Sequence, residues 1–131
     1  MLKQMKLNSG SMKTPDNRHL SGQGRGWGNI FDNIPESLPG EIVESLAAGG
    51  DIKIERIISR GHTSPEAGWY DQAQNEWVMV LQGKAVIGFP DKASITLVEG
   101  DYLDIKAHEK HRVQWTDPDR ETIWLAVHYQ S

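Results

Sequence analysis

From Glu41 onward the apolar residues fall into short runs broken by glycine, proline and aspartate. The segment "EIVESLAAG" fits a short helix or an edge strand, and its neighbours favour the strand. In "DIKIERIIS", Ile52, Ile54 and Ile57 alternate with Lys53, Glu55 and Arg56, and the slip at Arg56 predicts a bulge. "EWVMVLQG" and "KAVIGF" flank Gly83 and read as two strands joined by a tight turn. "PDKAS" is a second turn, "ITLVEGDYLDI" holds two short strands about Gly100, and "RVQWT" and "TIWLAVHY" complete the set. Strands recurring every 8 to 12 residues, with turn residues between them, predict an all-β sandwich or barrel. No segment reads as a helix of ten residues, which argues against a βαβ nucleotide fold.

The chain ahead of these strands is different. "MLKQMKLNSGSMKTPDNRHL" is polar and aperiodic, and residues 1–28 are expected to form a flexible arm before a single domain over 29–131. The glycines at 22, 24, 26 and 28 have the spacing of a phosphate cradle. Such a loop should follow a strand and open a helix, whereas this one follows the polar tail and precedes "NIFDNIPESLPG".

Composition narrows the function. With 131 residues, 37% hydrophobic and 24% charged, the chain suits one ordinary globular domain. A net charge of −4 without a basic cluster argues against nucleic-acid or anionic-membrane partners. The absence of cysteine removes disulfides, thiolate metal sites and a thiol nucleophile. The sequence has no signal-peptide core and no 18-residue apolar run, so a cytoplasmic location without a membrane partner is expected.

Histidines and carboxylates carry the remaining chemistry. His62 lies in "RGHTSP" just past a strand, and His108 and His111 share "KAHEKHRVQW". His128 belongs to the closing strand, and His19 lies in the arm. Residues two apart on a strand share a face, so Glu76, Val78 and Val80 form one face, and His111, Val113 and Trp115 another. There is no GxSxG elbow, and Asp101 and Asp104 have opposite parity, which does not suit an acid and base pair.

Two spacings now combine: Glu76 followed by Gly83, and Gly100-Asp101 followed by His111 and "RVQW". Together they resemble the two motifs of the cupin superfamily, and the chain is similar to small bacterial stand-alone cupin-2 proteins over roughly residues 50 to 129. The resemblance implies a double-stranded β-helix, or jelly-roll, barrel. It also departs from the family. Where the first motif has His-x-His, this chain offers Trp69-x-Asp71 or Tyr70-x-Gln72, and "KAH" replaces the usual proline-x-glycine of the second.

The resemblance further implies a divalent Fe, Mn, Ni or Zn site formed by His62, Asp71, Glu76 and His111. Asp71 is favoured over Gln72 because it is anionic. Tyr70, Gln72, Trp115 and His128 are the expected lining of a small-molecule pocket. In the alternative, the pocket is polar and metal-free, with Arg56, Arg60 or Arg112 serving Glu76. The function expected is small-molecule binding by a metal-bearing cupin, either an oxygenase, isomerase or lyase or a non-catalytic binding module; a filled structural barrel is the third class. Trp77, Met79 and Leu81 opposite Val78 and Val80 make the strand apolar on both faces, which predicts a homodimer. In that arrangement "EIVESLAAG" would lie across the neighbouring barrel.

Overall fold

Nine strands and no helix make up the described residues, 3–4 and 27–130, of the computed structural model. They are β1 (Lys3–Gln4), β2 (Ile42–Gly49), β3 (Ile52–Ser59), β4 (Asn75–Gln82), β5 (Lys84–Gly88), β6 (Ile95–Val98), β7 (Tyr102–Ile105), β8 (Arg112–Thr116) and β9 (Thr122–Tyr129). One sheet has the order β1-β2-β3-β9-β4-β7 and the other β6-β5-β8. Chain neighbours β4 and β5 lie in different sheets, as do β6 and β7. This is the double-sheet jelly roll that the strand spacing predicts. Among the described residues no helix is long and apolar enough to cross a membrane.

The crossing from β4 to β5 depends on Gly83. Its φ is 96°, in the region that favours glycine. A Cβ there would stand 2.5 Å from Thr122 Oγ1 and 2.7 Å from Thr122 Cα, so any side chain would force β9 away. The tight turn expected at this position is therefore a corner between sheets rather than a hairpin. Inward residues from both sheets, including Val80, Ala85, Ile87, Phe89, Leu97 and Trp124, form the shared core.

The expected bulge at Arg56 is not in β3. Pairing of β3 with β9 runs unbroken from Lys53↔His128 to Ser59↔Thr122, and the irregularity lies in the partner strand β2, between Ser45 and Ala47. Unbroken alternation along β3 turns Lys53, Glu55 and Ile57 inward. Arg56 and Ile58 therefore belong to the outer face, where both are buried.

Arg56 is held there by its hydrogen bonds. Its Nε donates to Glu44 Oε1 at 2.6 Å, and its Nη1 donates to the carbonyls of Ile30 at 2.9 Å and Asp32 at 2.7 Å. These contacts fasten the segment around residues 30–32 against the barrel's outer face. Most of the expected arm lies outside the described residues, as does His19. β2, which is expected to lie across a neighbouring barrel, pairs with β3 of its own chain.

Candidate functional site

Between the two sheets is a cavity of about 590 Å³, within the range of small-molecule sites. Val78, Ile87, Ile105, Val113 and Trp124 give it apolar walls. Glu41, Glu55, Gln72, Glu76, His111 and His128 supply most of its polar groups. The segment after β3 closes one side by running along β8. Ser64 N–H donates to Val113 O at 3.0 Å, Val113 N–H returns to Ser64 Oγ at 2.9 Å, and Thr116 Oγ1 donates to His62 O at 2.8 Å. Tyr70 and His111 then exchange backbone hydrogen bonds of 2.8 and 3.2 Å. This stitching carries His62, Tyr70 and Gln72 to the cavity wall.

Glu76 and His111 meet as the strand faces predict. His111 Nε2 lies 3.7 Å from Glu76 Oε1, with His111 almost fully buried. His111 Nδ1 is 2.8 Å from the Glu109 carbonyl, which can only accept, so the ring carries a proton on Nδ1. A bare Nε2 would then face a carboxylate, and the protonated ring removes that conflict. Burial lowers the His111 pKa, but the facing Glu76 and the Glu109 carbonyl outweigh it and raise it above its usual value. Glu76 mirrors this. Burial raises its carboxyl, yet His111, the Gln72 amide and the nearby His128 bring it below the ordinary range.

A second carboxylate–imidazole pair stands beside the first. His128 is the register partner of Glu76 across β9 and β4, and its Nε2 lies 3.0 Å from Glu55 Oε1. Lys53 Nζ reaches the other Glu55 oxygen at 3.2 Å. Glu41 also lines the cavity, 3.5 Å from Ser59 Oγ. Burial raises the Glu41 carboxyl against that hydroxyl, and the charges of Glu76 and Glu55 push in the same direction as burial.

The expected site residues separate into two groups. Glu76, His111, His62, Tyr70, Gln72 and His128 line the cavity. Asp71 and Trp115 do not. Asp71 Oδ1 is 2.7 Å from Nδ1 of the exposed His108, while Gln72 Nε2 donates to Glu76 Oε1 at 2.8 Å. The segment ahead of β4 thus turns Tyr70 and Gln72 to the cavity and Asp71, the favoured residue, to His108. Trp115 is turned outward by a bulge: β8 pairs Val113 with Ile87 but Trp115 with Val86, leaving Gln114 as the extra residue. The arginines suggested as partners for Glu76 are engaged elsewhere, Arg60 with Glu121 and Arg112 with the Glu66 carbonyl and the Trp69 ring.

Sequence reasoning missed Glu41, Lys53 and Glu55. Charged residues alternating with isoleucine look the same whether they face solvent or a polar cavity. The one available signal was strict alternation through Arg56, which places Glu55 on the face of Ile57.

The implied metal does not fit this donor set. His111 is oriented as a metal-binding imidazole is, with Nδ1 on a carbonyl. His62, however, accepts the Arg60 N–H at its Nδ1 (2.9 Å), so its neutral ring presents Nε2–H, a donor, to its surroundings. With Asp71 absent from the wall, the group hydrogen-bonded to Glu76 Oε1 is the Gln72 amide, and the neighbouring His128 is turned to Glu55. Among the described residues no three of His, Cys, Asp and Glu converge as a metal-holding group. Resident divalent ions are usually held by three or four protein donors.

Comparison with solved structures places this geometry among known barrels. The chain is 45% identical to a Ralstonia eutropha JMP134 protein provisionally named a mannose-6-phosphate isomerase, covering 80% of this chain and 98% of that one, with a TM-score of 0.77. A cupin superfamily protein from Desulfitobacterium hafniense DCB-2 matches at 22% identity and a TM-score of 0.61, covering 75% of this chain and 84% of that one. A cupin-2 domain protein from Shewanella frigidimarina NCIMB 400 matches at 20% identity and a TM-score of 0.54, covering 67% and 79%. These last two likenesses concern the fold alone. No family model matches the chain, and no curated protein does.

Proposed function

The chain belongs to the cupin superfamily, and on that premise we propose that it binds a small polar molecule in the barrel cavity, against the Glu76–His111 pair. The observation that carries this reading is the combination of a 590 Å³ cavity with a few convergent polar groups over apolar walls. A purely structural barrel would fill that space with side chains. The opposite displacements of the Glu76 and His111 pKa values give the site a carboxylate beside a proton-bearing imidazole. Such a pair can hold a hydroxyl or carbonyl, and it is equipped to move a proton. Binding needs no step beyond this.

The residue placements favour this over the metal-bearing reading, whose expected ligands include an Asp71 turned to His108 and a His62 whose Nδ1 is already an acceptor. A homodimer belongs to the same proposal. On β4, the residues opposite in parity to the cavity-lining Glu76 and Val78 include Trp77 and Met79; Trp77 stacks on the exposed Tyr102, with ring centroids 5.6 Å apart. A second copy covering this apolar surface through a two-fold axis is the commonest closed arrangement.

The binding reading is tested by a thermal-shift screen of polar small molecules against the wild type, Glu76→Gln and His111→Asn. A genuine site ligand raises the wild-type melting temperature by mass action and has a much smaller effect on the variants. Hits that stabilise all three proteins equally would place binding elsewhere.

A further inference from the structure

The charges around the cavity select among ligands. Three carboxylates, Glu41, Glu55 and Glu76, line it, against a single lysine and no arginine. The lysine is not available: Lys53 is bound to Glu55. The nearby arginines are also committed, Arg56 to Glu44 and two carbonyls, Arg60 to Glu121, and Arg112 to the Glu66 carbonyl. With no helix among the described residues, no helix N-terminus is there to receive an anion. Even with His111 counted as protonated, the wall remains net negative.

We propose that the cavity takes a ligand that is uncharged or cationic, a hydrogen-bond-donating polyol or amino-polyol, and rejects phosphate esters. This rests on the ligand-binding reading above and narrows its ligand class. Glu41 is the discriminating group. Its wall position and its sole hydrogen-bond partner in the described structure, the Ser59 hydroxyl at 3.5 Å, leave it able to accept from a ligand hydroxyl or ammonium. Burial is the main cause of its raised pKa, and the charges of Glu76 and Glu55 add to it. A phosphate dianion would add to that repulsion, whereas an ammonium would relieve it. The provisional name of the Ralstonia relative implies a phosphorylated sugar. The wall of this chain lacks the cations that such a group requires.

Three matched probes separate these outcomes: glycerol, 3-amino-1,2-propanediol and glycerol 3-phosphate, titrated at constant ionic strength and pH while histidine side-chain NMR signals are followed. The triol and the amine are expected to perturb His111 and His128, and the phosphate to bind weaker than the amine by roughly tenfold or more. Glu41→Gln, which keeps the shape and removes the charge, should narrow that gap several-fold. Phosphate binding as tight as the triol's would overturn this inference and leave the ligand-binding reading intact. An unchanged gap in Glu41→Gln would overturn the role of Glu41. Silence toward all three probes would overturn both the inference and the reading.

Discussion

His111, one residue ahead of β8, and Glu76, on β4, face each other across the cavity, Nε2 to Oε1 at 3.7 Å, and the pKa of each is displaced in the direction that keeps both charged. The folded Glu76 carboxyl lies below its ordinary value of 4.5, so its contribution to stability is present above that value and fades as acid protonates the folded form. The folded His111 lies above its ordinary 6.5, so its contribution is complete below 6.5 and is lost as pH rises through the raised value. The pair is therefore most stabilising between 4.5 and 6.5. Urea unfolding of the wild type and His111→Asn across pH should show the variant's relative deficit shrinking above that window. A deficit that grew toward alkaline pH would contradict the assignment.

Asp71 and Gln72 are neighbours with opposite fates, and their variants should differ accordingly. Asp71→Ala removes an exposed contact with His108 and should change stability by no more than about 0.5 kcal/mol, leaving ligand binding intact. Gln72→Ala removes a hydrogen bond to Glu76 and should weaken binding while raising the Glu76 pKa. Calorimetric titration of both variants with a screened ligand decides this; a binding loss confined to Asp71→Ala would reverse the register.

Untagged protein is expected to hold no stoichiometric divalent metal on elemental analysis, since among the described residues no three of the cavity's histidines and carboxylates converge on one point. One equivalent of metal that disappears in His111→Ala would show that the donors rearrange around an ion.

Arg56→Met should cost about 3–5 kcal/mol, because it leaves Glu44 buried without its cation and releases the carbonyls of Ile30 and Asp32. Hydrogen exchange should then show the backbone around residues 30–32 opening before the barrel does. Exchange there equal to the wild type would mean that this segment is held by something else.

Sedimentation should give twice the chain mass of 14.7 kDa. Tyr102→Lys, placed on the exposed ring that stacks on Trp77, should shift it toward monomer. A wild-type monomer at micromolar concentration would remove the dimer.

Most of the barrel was legible because half-buried strands write their faces into a period of two. The same period placed Glu76 and His111 together across the fold. It failed where the backbone broke the count. The extra residue at Gln114 turned Trp115 outward although its parity with Val113 pointed inward. The slip read at Arg56 belongs to β2 opposite, and the unbroken alternation along β3 puts Glu55 on the face of Lys53 and Ile57. The choice between Asp71 and Gln72 was made on charge, but the local geometry was decided by His108, whose backbone N–H donates to Gln72 O at 2.7 Å while its ring binds Asp71. Nothing in the local sequence marks a contact between residues so far apart in the chain.

Ligand entry into the cavity beside His111 is the event to be measured most directly. Nitrogen-15 NMR of the histidine side chains, recorded while a screened ligand is added, measures this with a control in the same molecule. Signals of His111 and His128 are predicted to shift together, while His108, exposed on the Asp71 side, stays still. Saturable binding that moves His108 and leaves His111 and His128 unchanged would contradict it.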